Sequence, residues 1–396
     1  MELSASEIPL GQREKDVLRY FKKNPKKILL VEPGYKSILP PLGLMRISSL
    51  HKKIGNKVDF VKENPPADYF GYIPPNLERR YDLIYVTSLF TYDYGQVIDC
   101  IRKYQLLFPH AKIKVGGVLA TLLPELVRKE TGVILHTGLM TGAEKCPPDY
   151  SLFPKLKYSI TFTTRGCVRK CKYCVVSKVE PKFFVREHWE RDIAPNHGKI
   201  IFWDNNWLLS PNFYEDVRKL KEIGKPYDFN QGLDCRLFDE EKAKLLRETK
   251  IEPLRFAFDS PSHDGYIQKA IELAKKHEFS DIRVYVLYNS EEEYDTPEYF
   301  YNRITGLNKL GAAVYPMRYR PIDGINPHWV SPRWDKDVLR GLKLIMVFFY
   351  KGGIIKKGRH GFRRMFGRSP DEFERKMKKI KAYDRALWRR RNERRS

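Results

Sequence analysis

The sequence contains no apolar run of 18 residues, so a membrane span is not expected. Its opening stretch, MELSASEIPL, lacks the basic-then-apolar layout of a secretion signal. Cysteine is scarce. Six in 396 residues are too few for a disulfide scaffold, and three of them crowd into eight positions. Acidic residues are also in the minority, 49 Asp plus Glu against 73 Lys plus Arg, leaving a formal net charge of +24. These shortages predict a cytoplasmic chain without a membrane partner, whose clustered cysteines bind metal rather than one another. The basic excess favours a polyanionic partner such as nucleic acid. Hydrophobic residues at 42% and aromatics at 13% supply sizeable cores and exclude a disordered or collagen-like chain. The length predicts two or three folded units.

Short apolar runs recur through the first third: KKILLVEP (26–33), KVDFV (57–61), DLIYVTS (82–88), KIKVGG (112–117) and GVILHTG (132–138). Helix-length stretches at 42–55 and 94–108 lie between them, the second carrying Val97, Ile98, Ile101 and Leu106 as an apolar stripe. Such alternation predicts an α/β domain built on a doubly wound parallel sheet. The middle third has candidate strands starting at Tyr158, Lys199, Tyr227, Leu254, Ile282 and Ala313. After one long gap they recur every 27 to 31 residues with helical segments between them. Six such units suggest a partial (β/α)6 TIM-type barrel, with a second open sheet as the competing fold, and ligands are expected at the strands' C-terminal ends. The resulting division is an N-terminal extension (1–24), a Rossmann-like domain (25–150), a barrel (151–330) and a basic helical C-terminal region (331–396). In the last region LRGLKLIMVFFYKGG (339–353) reads as a buried helix, and another is expected from Pro370.

The segment TTRGCVRKCKYCVVSK (163–178) follows the first barrel strand and sets Cys167, Cys171 and Cys174 in a C-x3-C-x2-C spacing. Thiolates are soft ligands for zinc or iron–sulfur clusters, and close spacing lets one loop wrap the site. Three ligands leave one iron of a cubic cluster open to an outside molecule. Lys170, Lys172 and Arg165 are expected to favour thiolates by their charge. A structural zinc completed by Cys146 or Cys235 is the alternative reading, which would make the chain a non-catalytic nucleic-acid-binding protein.

With Tyr173 just before its last cysteine, the triplet resembles the signature of radical S-adenosylmethionine (radical SAM) enzymes over roughly residues 155–325. The resemblance implies that Cys167, Cys171 and Cys174 hold a [4Fe–4S] cluster and that SAM chelates the fourth iron. It implies also that an electron donor is needed, that radical chemistry acts on a substrate, and that Tyr173 packs near the adenine. Asp204, Asn205 and Asn206 end the second barrel strand, where the superfamily usually carries a Gly/Glu motif contacting the SAM amino group; these residues differ from it. Asn230, Gln231, Asp234 and Arg236 follow the third strand, Asp259 the fourth and Asn289 the fifth, with Arg318 and Arg320 at the sixth. Gln231, Arg236, Asp259, Asn289 and Arg318 join the expected cofactor contacts, because all fall at one barrel mouth. A sulfur-inserting enzyme would carry a second cysteine set, whereas Cys100, Cys146 and Cys235 are scattered.

LPPLGLMRISSLHKKIGNKVDFV (39–61) and KVGGVLATLLPELV (114–127) resemble the cobalamin-binding-type Rossmann domain that precedes many radical SAM domains. That resemblance places the cofactor against the loop after Pro33 and the segment Gly116 to Thr121. The Asp-x-His-x-x-Gly motif that supplies a lower cobalt ligand in other cobalamin proteins is absent: position 49 is Ser, and Gly55 follows His51 one residue too late. Cobalamin binding, with methyl transfer, therefore stands beside a sheet retained for packing or substrate docking.

Residues 351–396 hold 18 Lys plus Arg and 5 Asp plus Glu, a balance of +13. GRHGFRRMFGR (358–368) interleaves glycine, aromatic and arginine, so Arg359, Arg363, Arg364 and Arg368 are candidates for RNA phosphates, and Phe362 or Phe366 for stacking on bases. A solvated basic face is the plainer reading.

Overall fold

The computed structural model describes residues 25–37, 39–63, 80–348, 353–355 and 359–380, so the expected extension 1–24 and the arginine-rich end, 381–396, lie outside the described residues. The first domain alternates β1 (Lys27–Glu32), α1 (Leu42–Lys53), β2 (Lys57–Lys62), β3 (Leu83–Ser88), α2 (Tyr94–Leu107), β4 (Lys112–Gly117), α3 (Val118–Leu122), α4 (Pro124–Thr131) and β5 (Ile134–His136). Its strands are all parallel, in the order β2-β1-β3-β4-β5. β1 is apolar from Ile28 to Val31 because both of its faces are covered. Ile28 and Leu30 pack on Leu44 and Ile47 of α1, while Leu29 and Val31 face Val97, Ile98 and Ile101 of α2. The order in which strands are added reverses between β1 and β3, and the carboxyl ends of those strands open the crevice where such sheets bind ligands.

The barrel contributes β6 (Tyr158–Thr161), the short antiparallel pair β7 (Thr164–Arg165) and β8 (Phe184–Val185), β9 (Lys199–Phe202), α5 (Phe213–Ile223), β10 (Tyr227–Phe229), α6 (Glu240–Arg247), β11 (Leu254–Ala257), α7 (Tyr266–Lys276), β12 (Ile282–Tyr288), α8 (Pro297–Lys309) and β13 (Ala313–Arg318). Two parallel three-stranded sheets, β6-β9-β10 and β11-β12-β13, are joined by the parallel bridges Tyr227 to Ile251 and Leu233 to Phe256. All six expected barrel strands form in the expected order. Their outer faces (Phe202, Phe229, Phe256, Val284 and Val314) merge with the helices into one core. The opposite face of β6 and β9, at Ile160 and Ile201, packs on Leu42 and Met45 of α1, so the first domain covers that side of the barrel. β7 and β8 had no signal in the sequence, because a two-residue ladder has no periodicity to read.

The basic region is fastened to the barrel. α9 (Lys336–Phe348), α10 (Arg359–Phe366) and α11 (370–380) send Val338, Leu342, Ile345, Phe362, Phe366, Phe373 and Met377 into the barrel's own core. Gly341 permits the close crossing of α9 and α11, since a Cβ there would stand 2.1 Å from the Met377 carbonyl oxygen. No helix among the described residues is long and apolar enough to cross a membrane.

Candidate active site at the barrel mouth

The cysteine loop leaves β7 through Gly166, whose φ of +72° and whose neighbours exclude a side chain: a Cβ would sit 2.2 Å from the Lys182 carbonyl oxygen. Between β7 and β8 the chain folds back on itself. The Cys174 N–H donates to the Cys171 carbonyl at 3.0 Å, and the Arg169 N–H donates to the Cys167 sulfur at 3.4 Å. All three cysteines are free and half-buried. Burial pushes the Cys174 thiol up to about 11, and the nearby Cys171 and Cys167 sulfurs add to that. Thiolates brought to one centre repel one another, and a bound cation relieves that repulsion. Among the described residues, no three His, Cys, Asp or Glu side chains already stand in a closed metal-holding set. The donor chemistry fits an iron–sulfur cluster held by one loop. Cys146 and Cys235, the candidates for completing the alternative zinc site, are buried and point their thiols at the Gly142 and Ala257 carbonyls.

Two carboxylates brace this loop. Glu180 accepts from Arg165 Nη2 at 2.8 Å, the Gly166 N–H at 2.9 Å and Asn205 Nδ2 at 3.1 Å. Asp234 accepts from Arg169 Nε at 3.2 Å, Asn206 Nδ2 at 3.1 Å and both Arg236 Nε (2.7 Å) and Nη2 (2.9 Å). Burial would raise the Asp234 pKa, but the bonds from Arg236 and Asn206 outweigh it and hold the carboxyl low. Arg165, expected to favour thiolates, instead pairs with Glu180 and lies 3.8 Å over the Phe162 ring, while Lys170 and Lys172 are exposed. Glu180 had no signal in the sequence, being one acid in a loop whose partners lie 14 to 25 residues away.

The expected mouth residues fall into two layers. Asp204 is buried, and its Oδ1 accepts from the amide and hydroxyl of both Thr163 and Thr164 at 2.7 to 3.0 Å, pinning the end of β6 to the end of β9. Asn289 adopts φ +67°, donates to the Tyr319 and Trp329 carbonyls and accepts from the Ser331 N–H. Both use their groups to hold strand ends together. Gln231 is exposed, and Asn206 Oδ1 is buried without a hydrogen-bond partner. Arg318 donates through Nη2 to the Trp329 carbonyl at 2.7 Å, its Nε is buried without a hydrogen-bond partner, and burial pushes its pKa down. Asp259 accepts the Leu287 N–H at 3.0 Å and is pushed up to about 6 by burial. Tyr173 lies beside it, its hydroxyl pKa raised by burial and then by Asp259 and Cys171.

The mouth meets the first domain edge to edge. Arg320, just past β13, lies 4.2 Å over the ring of Tyr92, which follows β3 and stacks on the exposed Phe90. α3 packs against the turn 176–179 behind the cysteines. Gly117 begins α3 at φ +112°, where a Cβ would meet the Ser88 carbonyl oxygen at 2.4 Å. His51 lies within the fold, bonded to the Tyr85 hydroxyl at 3.1 Å and to Asn56 at 2.8 Å, and burial lowers its pKa to about 4.

One expectation is overturned. Phe362 and Phe366 are not available to bases, because both are buried, against each other and Phe373, and anchor α10 to the barrel. Arg363, Arg364 and Arg368 remain exposed; the Arg359 side chain lies outside the described residues.

No protein-family model matches the sequence, and a search of curated proteins finds no relative. Among solved structures, the chain is similar to the radical SAM methyltransferase TsrM from Kitasatospora setae with cobalamin and [4Fe–4S] cluster bound. Identity is 15%, with 89% of this chain and 85% of that one covered at a TM-score of 0.58. The same enzyme with tryptophan substrate and the SAM analogue aza-SAM matches at 16% identity, 89% and 83% coverage and TM-score 0.58. The likeness extends over both domains and establishes the fold, a Rossmann-like domain followed by a partial (β/α)6 barrel, the architecture of that methyltransferase.

Proposed function

We propose that this chain, with the fold of the radical SAM methyltransferases, is itself a radical SAM enzyme. The observation that carries the reading is the three-thiol loop at the barrel mouth, facing the carboxyl edge of a 2-1-3-4-5 sheet. Cys167, Cys171 and Cys174 would hold three irons of a [4Fe–4S] cluster, leaving the fourth for SAM. Held there, such a cluster would supply the electron needed for SAM cleavage. Asn205, Asn206, Gln231, Arg236, Asp259 and Arg318 ring the mouth, and we assign them to the polar groups of SAM or substrate, with Tyr173 beside the adenine. Asp204 and Asn289 act from behind, holding the strand ends that carry this ring.

The crevice between the loop after Pro33 and Gly116–Thr121 is our candidate cobalamin site, and methyl transfer the accompanying reaction. His51 cannot serve as a lower cobalt ligand while both ring nitrogens are engaged under the sheet. For substrate we favour RNA, on the exposed Arg363, Arg364 and Arg368; with the neighbouring phenylalanines buried, those arginines would contact phosphates rather than bases.

Anaerobic reconstitution with iron, sulfide, reductant and SAM, with and without cobalamin, tests the reading. The expected result is a brown chromophore, with 5′-deoxyadenosine or S-adenosylhomocysteine formed, both abolished by Cys167→Ala, Cys171→Ala and Cys174→Ala together. Stoichiometric zinc without iron or sulfide, or undiminished turnover in the triple variant, would overturn it.

A further inference from the structure

We propose that Glu180 is a positioning residue, a carboxylate clamp that closes the neck of the cysteine loop and ties it to both the barrel and the first domain. The loop runs from Gly166 to Glu180, and Glu180 bonds back to its start: Oε2 accepts the Gly166 N–H at 2.9 Å and Oε1 accepts Arg165 Nη2 at 2.8 Å. The same Oε2 accepts Asn205 Nδ2 at 3.1 Å, fixing the neck to the end of β9. One side chain thus joins three separate backbone segments that must agree in position for three sulfurs to face one centre.

The clamp continues into the first domain. Arg165 Nε stands 3.8 Å from Glu144 Oε2, and the Glu144 carbonyl accepts from Arg46 of α1 at 3.2 Å and from Arg186, just past β8, at 3.4 Å. Arg46 and Arg186 converge on Asp192 at 2.5 and 2.8 Å. The Arg165 and Glu180 side chains are 6% and 13% exposed, so removing the carboxylate would strand a guanidinium and an amide away from water. A loop of this length left open at its neck regains the chain entropy that the clamp suppresses.

The inference rests on reading the loop as a cluster site, yet the clamp can be tested in metal-free protein. The full chain would be prepared as Glu180→Gln, Glu180→Asp and Glu180→Ala, and hydrogen exchange of amides 166–180 measured before any reconstitution. Iron and sulfide content would follow at limiting iron. Gln keeps the shape but turns one acceptor into a donor facing other donors. Exchange across 166–180 is expected to quicken about tenfold or more, the scale of a buried charged hydrogen bond, while β12 and β13 stay as protected as before. Asp, which keeps the charge, should recover part of the protection, and iron per chain should fall in the same order as protection. Unchanged exchange in both Gln and Ala would overturn the clamp, as would loosening spread evenly over the barrel; if Ala fails to fold, Gln decides. A wild-type chain that binds no iron would overturn the cluster reading and leave the exchange result to stand alone. The Cys167→Ala, Cys171→Ala, Cys174→Ala chain should keep the neck protected, and loss of that protection would count against the clamp.

Discussion

Replacing Asp204 by Asn should change how stability depends on pH in a direction the structure dictates. Asp204 is 1% exposed, and burial pushes its carboxyl from 3.8 up to about 6 in spite of the bonds from Thr163 and Thr164. Between those values the folded chain holds a proton that the unfolded chain has released. Wherever the native state binds more protons, stability falls as pH rises. The span is about 2 pH units, and at about 1.4 kcal/mol per unit Asp204 withdraws about 3 kcal/mol between pH 4 and pH 7. Asn cannot ionise, and its single oxygen can take the place of Oδ1, which accepts four of the bonds. The offset between variant and wild type depends on details of fit, but its slope does not. Urea unfolding of both proteins at pH 4, 5, 6 and 7 should show the variant gaining about 3 kcal/mol relative to wild type across that range. Taking the difference cancels other groups in the window, notably Asp259, also pushed up to about 6. A difference independent of pH would refute the buried-carboxyl account. Asp204→Ala should be destabilising throughout, because the Thr163 and Thr164 amides then lose their acceptor at about 1–3 kcal/mol each.

Gly166→Ala should lower iron uptake and destabilise the β7–β8 neck, since the new Cβ meets backbone at 2.2 Å and cannot be relieved by rotating a side chain; metal content and hydrogen exchange check it. Phe366→Ala should cost about 3–5 kcal/mol of stability by chemical denaturation, as expected of a fully buried ring rather than a base-stacking one. Arg363→Ala with Arg364→Ala should leave the unfolding midpoint in place and reduce the salt slope of RNA binding by about 2. His51, with its pKa lowered to about 4, contributes stability that is present above its unfolded value of 6.5 and is lost as pH falls toward 4; a His51→Gln variant should remove about 3 kcal/mol of that acid sensitivity in parallel unfolding curves.

The first domain's strand runs and the barrel's 27-to-31-residue rhythm were legible because parallel strands covered by helices are short, mostly apolar segments set at helix-length intervals. The cysteine triplet was legible because side chains carried by one short loop are necessarily close in sequence. The mouth residues were found only as strand-end polar groups, and that signal did not separate Gln231 at the surface from Asp204 and Asn289, which are consumed in holding strands. The aromatic positions in the basic segment misled for a related reason. Phe362 and Phe366 fall four apart on one helix face, a spacing equally suited to a stacking platform and to core packing, and only the barrel beneath them decides.

Local chemistry therefore determined the kinds of parts: parallel strands, helices between them, a loop of thiols, an excess of positive charge. Which distant groups meet was decided by folding. Glu180 reaches back to Gly166 and across to Asn205, Arg46 of the first domain reaches Asp192 of the barrel, and Arg320 covers Tyr92. Each of these pairings joins residues that carry no mutual pattern along the chain. Their partnership is set by burial, where a charge or amide withdrawn from water must find its complement wherever the packed backbone brings one.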